Sequence, residues 1–156
     1  MPDERPLTAI ALEALDRAFA GVPRPEKFTD HTFCEECDEA NTLFSGLTPE
    51  ALLLLPDPPE TLPFSFLNTE GFRYFMPAFA RMLTLTGDAY CLGDILFHIE
   101  NRLDTLDDGH LAALRDVLYA AYEANATEIE ATPFDYEQVW RVLNTLDARP
   151  RDRQDA

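Results

Sequence analysis

His31, Cys34 and Cys37 fall within one run, His31-Thr32-Phe33-Cys34-Glu35-Glu36-Cys37-Asp38-Glu39, and these side chains are the best suited to chemistry in the chain. An imidazole and two thiols, each three residues from the next, are the ligand types that a tetrahedral zinc site takes. A fourth ligand would have to come from later in the chain, where Cys91 and His98 are candidates. On a helix beginning near Cys34, Cys34 and Cys37 are i, i+3 neighbours, and His31 precedes the helix and can fold back. Two thiols at a helix N-terminus are also a redox arrangement, because the helix dipole favours the thiolate. Here Glu35, Glu36, Asp38 and Glu39 oppose that by like-charge repulsion. No strand–helix alternation of the thioredoxin kind surrounds the pair. A single Cys-x-x-Cys favours two small, partly buried cysteines behind an acidic helix face, with no cofactor. Zinc on His31, Cys34, Cys37 and Cys91 is the alternative.

The carboxylates allow two further readings. Glu35-Glu36-Cys37-Asp38-Glu39 spells E-E-x-x-E, the first half of the magnesium site of all-helical nucleotide pyrophosphohydrolases. That chemistry needs an E-x-x-D on a following helix. Glu50, Glu60 and Glu70 are followed at that spacing by Leu53, Pro63 and Arg73, so the second half is missing. Basic residues to hold a triphosphate are missing from the segment too. Between Lys27 and Arg73 the chain carries nine acids and no base. This is the pattern of an acidic face built for a basic partner. Its carriers would be Glu35, Glu36, Asp38, Glu39, Asp57 and Glu60, with Phe64 and Phe66 as aromatic anchors beside a Pro-rich loop.

Composition narrows the classes. A chain of 156 residues, 46% of them hydrophobic, suits one domain with an ample core. A net charge of −17 repels nucleic acid and anionic membranes and favours basic proteins or cations. The start, Met1-Pro2-Asp3-Glu4-Arg5-Pro6, lacks the pattern of a signal peptide, and no apolar run approaches a membrane span. Three cysteines do not make a secreted disulfide framework, so a cytoplasmic protein is expected. The two serines, Ser45 and Ser65, lie in no nucleophile elbow, and glycine is too scarce for a phosphate-cradling loop.

The elements that must position these groups read as helices almost throughout. Leu7, Ile10, Ala11, Ala14, Leu15 and Ala18 keep helical spacing until Gly21-Val22-Pro23. A second helix is expected from residue 33 or 34 to 44, capped by Asp30 or Thr32 and stopped by Gly46. Thr48 should cap a short helix over 49–55 with Pro49 at its first position. Residues 56–63 are Pro-rich loop. Asn68-Thr69-Glu70 starts a long helix over 69–85 whose stripe of Phe72, Phe75, Met76, Phe79, Met82 and Leu83 marks the centre of the core. Pro77 should kink it. Arg73 and Arg81, on one face of this helix, are expected to pair with neighbouring acids such as Glu70. Further helices are expected over 90–103, 108–126 and 134–146. Residues 1–6 and 147–156 are expected to be disordered.

Leu67-Asn68-Thr69-Glu70-Gly71-Phe72-Arg73-Tyr74-Phe75-Met76-Pro77-Ala78 resembles the central motif of a family of small uncharacterised bacterial proteins, a domain of unknown function. Their motif begins Leu-Thr-Pro-Glu, so Asn68-Thr69 departs from it at the helix cap. The resemblance would cover most of residues 7–146, and it implies one all-helical domain and no particular activity. The sequence therefore predicts an all-α protein: a single compact domain of about six helices over residues 7–146, with a Pro-rich internal loop. It is expected to be a non-enzymatic, acidic interaction module of immunity or antitoxin type that covers a basic effector surface. The alternatives are a zinc-binding regulatory domain and a metal-dependent nucleotide phosphohydrolase.

Overall fold

The computed structural model describes residues 6–30, 34–55, 63–84 and 92–148, the side chains of 92–94 and 148 excepted, and every regular element among them is a helix. Helix α1 (Leu7–Phe19) buries Ala11, Leu15 and Phe19 at i, i+4, i+8. Helix α2 (Glu35–Ser45) buries Cys37, Ala40 and Phe44. Its cap is not Asp30 or Thr32 but Cys34, whose sulfur accepts the Cys37 N–H. Helix α3 (Pro49–Leu52) has the expected Thr48 cap, with Oγ1 accepting from Ala51 N at 3.1 Å, and is shorter than predicted.

Helix α4 (Thr69–Thr84) runs unbroken through Pro77 and buries Phe72, Phe75, Met76, Phe79 and Leu83; Met82 is half-buried. Asn68 starts it, its Oδ1 accepting the Gly71 N–H at 2.7 Å. Helix α5 (Leu92–Glu100) is followed by a 3-10 turn at Leu103–Thr105, so the predicted helix ends earlier. The helix expected over 108–126 is α6 (Asp108–Ala124), two residues shorter, and a further short helix not foreseen, α7 (Ala126–Ala131), follows it after Asn125. Helix α8 (Pro133–Ala148) places its proline at the first position and extends two residues into the tail predicted to be disordered. The expected loop 56–63 lies outside the described residues except Pro63, as do residues 1–5 and 149–156.

Among the described residues eight α-helices thus stand where about six were expected, α3 and α7 being short. Helix α6 packs on α1, α4 and α8; α5 lies against α8 and α4, and α3 against α4. At the centre the fully buried Phe75 ring meets Phe28, Phe44 and Tyr74 at 5.5, 5.3 and 5.0 Å. Among the described residues no helix is long and apolar enough to cross a membrane.

Candidate functional site: the acidic face of α2

Because α2 turns Cys37, Ala40 and Phe44 inward, Glu35, Glu36, Asp38 and Glu39 are left on its outer side, and all four are exposed. Three of them stand in the first turn, where the helix dipole favours negative charge. No ion pair holds any of the four among the described residues. The segment before α2 is fastened to it and to α4. Phe28 N donates to Asn41 Oδ1 at 2.9 Å, and Thr29 Oγ1 reaches the Cys37 carbonyl at 3.4 Å. Asn68 donates from its backbone to the Phe28 carbonyl at 2.7 Å and from its side chain to the Lys27 carbonyl at 2.9 Å. A shallow depression at this junction is lined by Glu26, Lys27, Thr29, Asp30, Asn68 and Glu70. Carboxylates thus extend from the start of α2 across this junction to the start of α4, with Lys27 as the cation among them.

The arginines of the core-forming region are engaged elsewhere. Arg24 donates to the carbonyls of Ser45 and Leu47 at the end of α2, the latter at 2.8 Å, and to the Tyr74 hydroxyl at 3.2 Å. Its guanidinium lies over the Phe28 and Tyr74 rings at 5.2 and 5.5 Å. Arg73, expected beside Glu70, instead donates to the Thr105 carbonyl at 2.6 Å, fastening the 3-10 turn after α5 to α4. Arg102 donates to the His98 and Leu67 carbonyls and covers the Phe72 ring at 4.7 Å; burial lowers its pKa. Arg81 forms a two-pronged pair with Asp16 at 2.7 and 2.5 Å, and Arg141 pairs with Glu100 at 3.4 Å. A guanidinium held by neutral carbonyls leaves the acids outside uncompensated.

The other predicted site residues divide. Phe64 is no exposed anchor: the 3-10 turn Phe64–Phe66 folds its ring edge-on against Phe79 at 4.8 Å, in the core. Phe66 is half-buried against the same core. Asp57 and Glu60 lie outside the described residues, as do the ligand candidates His31 and Cys91. Among the described residues no three His, Cys, Asp or Glu side chains come together as a metal would need. Cys34 is half-exposed and Cys37 buried. The Cys37 thiol is pushed up to about 11, first by its hydrogen bond to Cys34, then by burial and by the charges of Asp38 and Glu36. His110 is buried, stacked on Phe19 at 4.1 Å, with Nδ1 3.4 Å from Asp107.

Two features were missed from the sequence. The Arg24 clamp joins groups 21 to 50 residues apart, and the Pro23-Arg24-Pro25 triplet is its only local signal. A cleft of about 570 Å³ between α1, α3 and α4 is lined by Asp16, Glu50, Leu53, Tyr74, Pro77 and Arg81 among others. No local spacing links those positions. The chain matches no protein-family model, no curated protein and no solved structure.

Proposed function

We propose that the chain is an acidic protein-interaction module that docks a basic protein partner on the outer face of α2 and the adjoining 26–30 segment. The observation that carries this reading is the set of four exposed carboxylates on α2 that form no ion pair among the described residues, in a chain of net charge −17 whose central arginines are held by other groups. Such a face accelerates encounter with a basic surface by electrostatic steering. In its sharpest form the partner is a basic toxin or effector, and the module is an immunity or antitoxin-like protein. A central motif like that of small bacterial proteins is compatible with that setting.

The test begins with capture of the partner from the native host, followed by association kinetics at several salt concentrations. Glu35→Gln, Glu36→Gln, Asp38→Asn and Glu39→Gln together remove the face; Glu123→Gln with Glu137→Gln, exposed elsewhere, serves as the control. The four-site variant should associate on the order of tenfold more slowly at low salt and show a flatter salt dependence, while the control behaves as wild type. Equal loss in both variants, or binding indifferent to the four changes and to salt, refutes the docking face.

A further inference from the structure

We propose that Cys34 and Cys37 form a redox-active dithiol that closes into an intrachain disulfide by exchange with small disulfides, with Cys34 attacking and Cys37 resolving. The geometry of the cap carries the proposal. Cys34 is extended (φ −117°, ψ 116°), which turns its side chain back over the first turn, and its sulfur lies 3.4 Å from the Cys37 amide nitrogen. The Cβ atoms of helical neighbours three apart lie about 5–6 Å from each other against the roughly 3.5–4.5 Å of a disulfide, so the extended cap residue Cys34 must move inward by about 1–2 Å to close the bridge. The Cys37 N–H bond to Cys34 Sγ holds that sulfur beside the residue it would join in the reduced fold. Closure therefore asks for little movement of the helix.

The order of attack follows from exposure. Cys34 is half-exposed and reachable; Cys37 is 1% exposed and is reached through Cys34. The Cys34 thiolate attacks one sulfur of a disulfide RS–SR, the S–S bond breaks, and RS⁻ leaves to take up a proton. Cys37 then gives up its proton, its sulfur attacks Cys34 Sγ in the mixed disulfide, and the second RSH departs. Two electrons and two protons pass from the dithiol to RS–SR. Glu35, Glu36, Asp38 and Glu39 surround the site, so an anionic disulfide should approach more slowly than a neutral one, and salt should narrow the gap.

The full chain would be incubated with neutral hydroxyethyl disulfide or anionic glutathione disulfide, quenched, alkylated, and examined by intact mass and peptide mapping. The expected product is two hydrogens lighter, links residues 34 and 37, and retains one alkylatable cysteine of the three in the chain. Hydroxyethyl disulfide should react faster than glutathione disulfide at low salt. Cys37→Ser should accumulate the mixed disulfide on Cys34, while Cys34→Ser, which keeps a good capping residue, should form neither product. Should Cys37→Ser fail to fold, the wild-type protein decides alone: Cys34 should be alkylated on the order of tenfold faster than Cys37. Three alkylatable thiols after prolonged oxidant, a link to Cys91, or faster modification of Cys37 would each overturn the proposal.

Discussion

Replacing Arg24 by alanine removes a guanidinium that holds the end of α2 to the body of the protein. Two of its contacts are charge-assisted bonds to the carbonyls of Ser45, a helix-end group without an intrahelical partner, and of Leu47, in the connection that follows α2. A hydrogen bond to a charged donor contributes roughly 1.5–3 kcal/mol, and an exposed donor such as Arg24 belongs at or below the lower end of that range. The stacking over Phe28 and Tyr74 adds about 0.5–1 kcal/mol at an exposed site. Water can replace part of the lost bonding, so Arg24→Ala should cost about 2 kcal/mol in total. With a urea slope of roughly 1–3 kcal/mol per molar, the denaturation midpoint should fall by about 1 M. Arg24→Lys should recover less than half, because one ammonium cannot span two carbonyls and stack flat on a ring. The partners are neutral, so the deficit should persist in about 1 M salt, where surface ion pairs are screened. A loss below about 0.5 kcal/mol, or one abolished by salt, would show that Arg24 acts as a surface charge.

Phe75→Ala should cost roughly 3–5 kcal/mol, since the ring is fully buried among Phe28, Phe44 and Tyr74; a denaturation midpoint no lower than that of Leu54→Ala, at an 83% exposed position, would contradict the assignment of the core. Tyr119 and Tyr122, bonded to Asp147 and Glu130, have pKa values raised above the ordinary 10.0 by those bonds first. Their raised folded-state values mean that the stabilisation is complete below pH 10.0 and is lost as pH rises through the higher folded values. Ultraviolet titration should therefore place both tyrosinates above the unfolded chain, and Tyr119→Phe with Tyr122→Phe should remove that component; ionisation at the unfolded value in the native protein would refute it.

What the sequence disclosed depended on whether its signals were local. The α4 stripe and its Asn68 start were legible, to within a residue at the far end, because the period and the cap lie within a few positions of each other. The cap of α2 was misread because Asp30 and Thr32 are the usual capping types, and tertiary geometry instead put a cysteine sulfur there. The six residues of α7 before Pro133 are too short a run to show helical spacing, so they were assigned no element. Phe64 looked exposed because it borders the Pro-rich stretch; only the turn that lays it on Phe79 reveals it as core. The four α2 carboxylates were legible as candidates, whereas their lack of counter-ions among the described residues depends on where Arg24, Arg73 and Arg102 found backbone carbonyls.

The two side-chain amides Asn41 and Asn68 hold the 27–30 segment between α2 and α4 through groups that do not titrate. The carboxylates around this junction act through charge, which salt screens. The scaffold and its charge are therefore separable quantities. Raising the ionic strength can erase the field of the face while the spacing of the two helix starts stays as the amides set it. A partner that leaves under those conditions would leave an unchanged shape behind, ready to bind again once the field returns.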